Sequence, residues 1–210
     1  RGGISAGKWK VFGDFERQAI FGSNSDLEFE AVATDRLNNA PRYTLRVNCR
    51  NTPRIASFVN LLGNLVPEYS RILRPDDGVE PKILYFHDQE DQRQKLVETI
   101  QSLKNDGFTN TDIVVLAPIS ERDAVAYSIM DGNVKFTSFD TVSRKRIGAG
   151  TIHSYKGMES PAVIVTDIAE ITGEHAKSLF YVAITRALHR LYILANDNIR
   201  QEVLKITLGN

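Results

Sequence analysis

Short apolar runs alternate with amphipathic stretches along this chain, and that alternation restricts the fold more than any other feature. The runs at 82–86 and 113–117 have the length and composition of buried strands. Each is followed by a segment with apolar residues at helical spacing, at 92–104 and 121–129. Strands that alternate with helices favour a parallel sheet with helices on both faces. The sequence therefore predicts an α/β fold.

Other predicted elements continue this pattern. A strand at 43–47 precedes a helix start, where Thr52 is a candidate N-cap and Pro53 suits the first helical position. Apolar residues then recur at helical spacing, so this helix buries one side. Its predicted apolar positions are Ile55, Phe58, Val59 and Leu62. The remaining predicted elements are strands at 10–12, near Thr151, at 162–167 and at 191–195, and a helix at 174–188.

Composition excludes several classes of protein. The 26 Lys and Arg residues balance the 26 Asp and Glu residues, so any contact with nucleic acid must be local. The single cysteine, Cys49, excludes an internal disulfide, and the four histidines lack metal-ligand spacing, so we expect no metal site. No apolar run approaches the roughly 18 residues of a membrane span, and the first residues lack a secretory signal. We therefore expect a cytoplasmic protein with no membrane partner.

One basic cluster stands out against this balanced background. Arg144, Lys145 and Arg146 follow one another, and no acidic residue occurs from 142 to 156. A local positive patch of this kind suits contacts with phosphate, and the alternative is an ordinary solvated loop.

The stretch 151–159 reads Thr-Ile-His-Ser-Tyr-Lys-Gly-Met-Glu. A hydroxyl on Thr151, an imidazole on His153 and backbone amides around Gly157 can hold a nucleic acid strand by its phosphates without reading bases. The alternative is a loop that is merely polar.

The stretch 179–187 reads Leu-Phe-Tyr-Val-Ala-Ile-Thr-Arg-Ala. On the predicted helix, Arg186 falls on the apolar side with Leu179 and Val182. A separate stripe holds Ser178, Tyr181, Thr185 and His189. An arginine on an apolar side needs an anionic partner, and both a buried carboxylate and a triphosphate would serve.

Four stretches together resemble the motifs of superfamily 1 helicases of the UvrD/Rep type. The stretch 13–21 is similar to motif III, 48–50 to motif IV, and the two stretches above to motifs V and VI, in the family's order. The resemblance implies a RecA-like parallel sheet with helices on both faces. Residues 41–210 would form the second RecA-like domain, and residues 1–40 a short remnant of the first.

The resemblance also implies which residues would bind nucleotide. Gln18, Arg50 and Arg186 would act at the γ-phosphate of ATP, which binds with Mg²⁺ in this family. Gly157 and Glu159 would lie beside the nucleotide, with Glu159 toward its sugar.

A second set of residues would bind single-stranded DNA. Thr151 and His153 would face its backbone, and Phe21 would stack on a base, unless Phe21 is a core aromatic. The basic residues Arg144 and Lys145 would add phosphate contacts.

Two further motifs of that family are missing. The chain has no Gly-x-x-x-x-Gly-Lys-[Ser/Thr] sequence and no Asp-Glu pair after an apolar strand ahead of motif III. We therefore expect this chain to be the carboxyl-terminal part of a longer DNA helicase, inactive alone as an ATP hydrolase and partnered by the first RecA-like domain of the same polypeptide. The alternative is a non-motor nucleic-acid-binding or adaptor module derived from a helicase.

Overall fold

The computed structural model of this protein describes residues 43, 45–63, 68–129, 134–141 and 143–208. The chain divides into two units, Arg1–Leu45 and Arg46–Asn210, and the description concerns almost entirely the second. The predicted strand at 10–12, the motif III stretch, Gln18 and Phe21 all lie outside the described residues. The assignment of residues 1–40 to a first RecA-like domain therefore stays a prediction.

Strands and helices alternate along the described part of the chain. In order, the elements are β1 (Val47–Asn48), α1 (Pro53–Leu62), β2 (Arg71–Ile72), β3 (Lys82–Phe86), α2 (Gln89–Asn105), β4 (Ile113–Ala117), α3 (Val125–Ser128), β5 (Phe136–Thr137), β6 (Ile147–Thr151), β7 (Ser160–Ile168), α4 (Glu174–Ile184), β8 (Ala187–Asn196), a 3₁₀ turn (Asp197–Ile199) and α5 (Arg200–Leu208).

Six strands form one sheet in the order β3-β8-β7-β4-β6-β5, and each neighbouring pair is parallel. Strands β1 and β2 form a separate two-stranded parallel ladder. The predicted α/β fold with a RecA-like parallel sheet is therefore confirmed. In such a sheet all strands begin at one edge, the amino edge, and end at the opposite carboxyl edge.

The central strands are buried on both faces, as expected of a parallel sheet covered by helices. On one face, α2 contributes Leu96, Ile100 and Leu103 to a core with Ile113 and Ile164. Alternate residues of β7 and β8 point to the other face, where α1, α4 and α5 pack. The buried residues of that face include Ile55, Val59, Val163, Val182, Leu191 and Ile193. Among the described residues, no helix has the length and apolar character needed to cross a membrane.

Several predicted elements match the structure closely. The strands at 82–86 and 113–117 have the predicted bounds, and α1 starts at Pro53 after Thr52, as predicted. The Thr52 side chain makes no capping hydrogen bond, however, so proline and tertiary packing carry this helix start.

Two predicted helices are wrong in extent. The predicted helix at 121–129 is reduced to Val125–Ser128, because residues 121–124 form turns and the Val125 N–H donates to the Asp167 carboxylate at 3.3 Å. The predicted helix at 174–188 ends at Ile184, and β8 begins at Ala187. Arg186 therefore lies in a tight turn and not on a helix face, and His189 lies in a strand.

Besides the 3₁₀ turn, three elements, β2, β5 and α5, were not predicted, and one strand is shorter than predicted. The edge strand β5 and the last helix α5 have no strong apolar pattern, and the predicted strand at 43–47 is reduced to the two residues of β1. Tyr43 and Leu45 are exposed, so the apolar content that favoured a strand there does not reflect burial.

Candidate functional site

Arg186 is a buried arginine at the amino edge of the sheet, between the end of α4 and the start of β8. The residue is 2% exposed. Its Nε donates to the Val182 carbonyl at 2.9 Å, its Nη1 to the Met158 carbonyl at 3.3 Å and its Nη2 to Thr185 Oγ1 at 3.1 Å. Thr185 Oγ1 in turn donates to the Val182 carbonyl at 2.9 Å. These neutral acceptors fix the plane of the guanidinium without neutralising its charge.

The charge of Arg186 has no carboxylate partner within ion-pair distance among the described residues. Burial lowers the pKa of Arg186, and the neighbouring cation Arg50 lowers it further, against Glu159 and two tyrosines that raise it. Of the two partners that the sequence left open, a buried carboxylate is therefore not found in the described part of the chain. A charged group held this way favours an anion supplied from outside.

Arg50 approaches the same place from the end of β1. Its Nε donates to Glu159 Oε2 at 2.7 Å, and both side chains are part-exposed. Because Arg50 and Glu159 both act on the charge of Arg186, the structure groups these three residues. Arg50 and Glu159 belong to different motif stretches and lie 109 residues apart in the sequence.

Two buried asparagines that the sequence analysis missed hold this group together. Asn48 Oδ1 accepts from the backbone N–H groups of Arg50 and Asn51, at 2.9 and 3.0 Å. Asn51 Nδ2 donates to the Ala187 carbonyl at 2.6 Å and to the Thr185 carbonyl at 3.3 Å, on either side of Arg186. The backbone at Arg50 is thus tied to the backbone at Arg186. No local signal reveals the Asn51 side-chain bonds, because Thr185 and Ala187 lie more than a hundred residues away.

Strand β7 contributes the third part of the group. The Ser160 N–H donates to the Arg186 carbonyl at 3.1 Å, which places Glu159 beside the turn that carries Arg186. The Tyr155 hydroxyl donates to the Glu159 carbonyl at 3.0 Å. Gly157 has φ +87°, a conformation that favours glycine, and this turn lets the chain reach β7.

The predicted DNA-contacting residues Thr151 and His153 lie at the carboxyl edge, where β6 ends. Thr151 Oγ1 accepts from the Ser154 N–H at 3.1 Å and so stabilises the turn that follows the strand. His153 is part-buried, and its ring centroid lies 6.0 Å from that of His175, in the first turn of α4. Burial, His175 and Lys156 lower the pKa of His153. The sequence predicted no site role for His175.

Arg144 and Lys145 do not join Thr151 and His153 in one site. Both basic residues are exposed and precede Ile147, the first residue of β6, whereas Thr151 is the last. Five strand residues at about 3.3 Å per residue separate these ends by roughly 13 Å. The predicted cluster of DNA contacts is therefore divided between the two edges of the sheet.

No group of three or more metal-ligating side chains occurs within the described ranges. The expectation that the chain has no metal site therefore stays a prediction.

The motif-bearing segment is similar to a known family of proteins. Residues 147–194 match the family described as the UvrD-like helicase C-terminal domain. No curated protein matches the chain. Among solved structures, the C-terminal domain of a possible DNA helicase from Lactobacillus plantarum WCFS1 is similar, with 19% identity, a TM-score of 0.58, and coverage of 75% of this chain and 93% of that one.

Two viral structures are also similar over part of their length. The PRRSV helicase has 19% identity and a TM-score of 0.37, with 77% of this chain and 24% of that chain covered. The arterivirus nonstructural protein 10 (helicase) has 18% identity and a TM-score of 0.29, with 77% and 27% covered. Only the bacterial structure, which has the highest TM-score of the three, is used to compare the folds. Residues 147–194, which hold both the Thr151–Glu159 loop and Arg186, match the model of the UvrD-like helicase C-terminal domain, in agreement with the resemblance found in the sequence.

Proposed function

We propose that this chain is the second motor domain of an ATP-dependent superfamily 1 DNA helicase. In this proposal the amino edge supplies arginines to the triphosphate of ATP, and the carboxyl edge contacts single-stranded DNA. The catalytic phosphate-binding loop would come from a first RecA-like domain of the same polypeptide. ATP hydrolysis would be an activity of that whole protein.

The buried guanidinium of Arg186 is the observation that carries this proposal. Arg186 is 2% exposed, and the acceptors of its guanidinium are carbonyls and a hydroxyl. A buried charge held in this way is unfavourable unless an anion can approach it. A guanidinium has five N–H donors, and three bonds to neutral acceptors leave others for phosphate oxygens. Because residues 147–194 match a helicase domain, a nucleoside triphosphate is the anion that fits best.

Arg50 and Glu159 would complete the nucleotide side. The Glu159 carboxylate holds Arg50 through Nε, so the two Nη groups of Arg50 remain for phosphate. Glu159 is also the candidate for the nucleotide sugar, beside Gly157. When Mg²⁺-ATP is bound, the metal and the arginines together would stabilise the charge that develops during phosphoryl transfer.

The loop between β6 and β7 would couple the two sides. It starts at Thr151 on the carboxyl edge and ends at Glu159 on the amino edge. Ile152 and Tyr155 are buried along its course, so the loop is fixed to the sheet and not free to move independently of it. A displacement at Glu159 would therefore be transmitted to Thr151 and His153, and closure of the nucleotide site would alter the grip on DNA.

The test measures the DNA-stimulated ATPase rate of the full-length natural protein and of its Arg186→Ala and Arg186→Lys variants. We expect both variants to lose about 10³-fold or more in kcat, because lysine is a point charge and cannot reproduce the forked contact. Affinity for a single-stranded oligonucleotide should remain within about threefold of wild type, since Arg186 lies at the amino edge.

Arg93→Ala is the matched control, because Arg93 is an arginine on α2 that donates hydrogen bonds to Glu90, Gln89 and Ser128, all on the α2 and α3 side. Circular dichroism and urea unfolding establish that each variant is folded. A folded Arg186→Ala protein that hydrolyses ATP at a near-normal rate would remove the main support for the motor proposal and favour the adaptor alternative.

A further inference from the structure

Four exposed cations lie together at the amino edge of the sheet, where β5 and β6 begin. Lys135 precedes β5, and Arg144, Lys145 and Arg146 precede β6. The Ile147 N–H donates to the Lys135 carbonyl at 2.8 Å, and the two strands pair in parallel from this point. Because neighbouring strands are about 4.8 Å apart, the four side chains form one surface, which we call the basic edge.

Hydrogen bonds hold the backbone beneath the basic edge. Asn110 Nδ2, in the loop before β4, donates to the Arg144 carbonyl at 3.1 Å. Ser143 accepts twice: its Oγ from the Lys145 N–H at 3.3 Å and its carbonyl from the Arg146 N–H, also at 3.3 Å. The cations therefore extend from an ordered turn, so the backbone has little freedom left to lose when a ligand binds.

The charges of the basic edge are not balanced by carboxylates in the described part of the chain. Elsewhere on the surface cations are commonly paired, as Arg54 is with Asp76 at 3.0 Å. Within the described ranges, no ion pair includes any of the four basic-edge residues. Asp112, just before β4, accepts instead from the Thr109 N–H at 2.8 Å. In a chain of zero net charge this surface is a local positive field that is complementary to a polyanion.

The composition of the basic edge indicates which polyanion fits. None of the exposed large hydrophobic residues lies within 134–141 or 143–146, and Phe136 packs against the hydrophobic core. A protein partner usually buries aromatic or apolar anchors, and a single nucleic acid strand usually stacks its bases on aromatic side chains. A double helix needs neither, because its bases are stacked inside and its phosphates face outward. A duplex therefore fits this surface better than a single strand or an acidic protein.

We propose that the basic edge binds the phosphate backbone of a nucleic acid duplex. The inference rests on the proposed function for its ligand, and it adds a second nucleic acid surface, separate from the one that contacts the single strand. The five residues of β6 hold the two surfaces at opposite edges of the sheet, roughly 13 Å apart along the strand. One domain can therefore hold a single strand at the carboxyl edge and the adjoining duplex at the amino edge.

The experiment measures binding of a fluorescein-labelled blunt DNA duplex, and separately of a labelled oligothymidylate, to the 210-residue chain by anisotropy over a series of salt concentrations. The test variant is Arg144→Gln/Lys145→Gln. The control variant is Arg71→Gln/Lys205→Gln, because both residues are exposed, lie outside the basic edge and are in no ion pair with a described carboxylate. The two variants remove the same charge, and circular dichroism with urea unfolding establishes that each is folded.

The loss of two phosphate contacts changes both the affinity for the duplex and its salt dependence. We expect the test variant to bind the duplex about tenfold or more weakly at about 0.1 M salt, with a slope of log K against log salt that is shallower by about 1.8. Its affinity for oligothymidylate should stay within about threefold of wild type, since the single strand is held mainly at the other edge. The control variant should bind both ligands within about twofold of wild type.

The possible failures are distinguishable. If the control variant weakens duplex binding as much as the test variant does, the effect is one of net charge and the basic edge is overturned as a site. If the test variant loses oligothymidylate and duplex equally, the two surfaces are not separate, while the proposed DNA contact stands. If the wild-type chain binds neither ligand, the proposed DNA contact fails as well. Displacement of the duplex by an oligoglutamate of equal charge would overturn the inference in favour of an acidic protein partner.

Discussion

Asp167 combines an unfavourable backbone conformation with a largely buried carboxyl group. It lies near the end of β7 with φ +60°, a left-handed conformation that non-glycine residues seldom adopt, although Asp and Asn do so more often than others. Burial raises the pKa of Asp167, partly opposed by its hydrogen bonds, one of which comes from the Val125 N–H at 3.3 Å. The carboxylate thus anchors the start of α3, but its ionised form is disfavoured there.

We expect Asp167→Asn to stabilise the chain at neutral pH by on the order of 1 kcal/mol. Asparagine tolerates the same backbone conformation and can accept from Val125, but it carries no charge to desolvate. The gain should be fully present above the raised pKa of Asp167, and it should be lost as the pH falls below the ordinary aspartate pKa of 3.8, where the residue is protonated in both the folded and the unfolded state.

Urea unfolding at about pH 7 and about pH 3.5 measures this difference. Asp167→Ala is the comparison variant, and we expect it to be less stable than wild type, since it loses the acceptor and disfavours the left-handed conformation. An asparagine variant that is less stable than wild type at neutral pH would mean that the charge itself stabilises the fold.

Strand β6 depends on glycine for its packing against an aromatic residue. A Cβ atom at Gly150 would lie 2.5 Å from the Phe139 ring, whereas one at Gly148 would lie 3.3 Å from the same ring. Phe139 packs in turn on Tyr155, with ring centroids 4.7 Å apart, and the Tyr155 hydroxyl donates to the Glu159 carbonyl. The glycines of β6 therefore position the loop that leads to Glu159, the partner of Arg50.

Gly150→Ala should destabilise the chain more than Gly148→Ala. Both substitutions have the same effect on the conformational entropy of the unfolded chain, so the difference between them reports the steric contact. We expect Gly150→Ala to cost about 1–3 kcal/mol, as overpacking does elsewhere, because Phe139 cannot move without displacing Tyr155. Urea unfolding of the two variants is the measurement, and equal free energies of unfolding would contradict this account of β6.

At the scale of the whole molecule, the second unit places its candidate site residues at two opposite edges of one sheet. Arg50, Glu159 and Arg186 lie at the amino edge, and Thr151, His153 and His175 lie toward the carboxyl edge. The six-stranded sheet, the helices on both its faces and the Asn48–Asn51 bonds all belong to residues 46–210. The core that positions both edges is thus contained in this one unit.

A fragment of residues 46–210 should therefore fold by itself. We expect a single cooperative urea transition and a far-ultraviolet circular dichroism spectrum of a mixed α/β protein, because the fragment contains the whole buried core of the six-stranded sheet. A broad transition without a folded baseline would show that residues 1–45 are needed to complete that core.

Much of the described fold was predictable, because the local patterns agree with the tertiary structure. The apolar runs of β3 and β4 are both read correctly. Strand β4 is a central parallel strand that is buried along its whole length, whereas β3 is a part-buried edge strand. The extent of α4 was not predictable, because its end depends on Asn51, which binds the carbonyls of Thr185 and Ala187 and so replaces the next helical turn. The short α3 depends similarly on Asp167.

For the site, the sequence alone identified the candidate residues: Arg50, Arg186, Glu159, Thr151 and His153 stand in motifs whose order and residue types are readable along the chain. Residue type and spacing are local properties, so no tertiary information is needed for them. Only the tertiary structure decided which of these residues meet. It paired Arg50 with Glu159, left Arg186 buried without a described carboxylate, separated Arg144 and Lys145 from Thr151, and brought His175 to His153. Such contacts join segments that are distant along the chain, and they form only when strand order and packing bring those segments together.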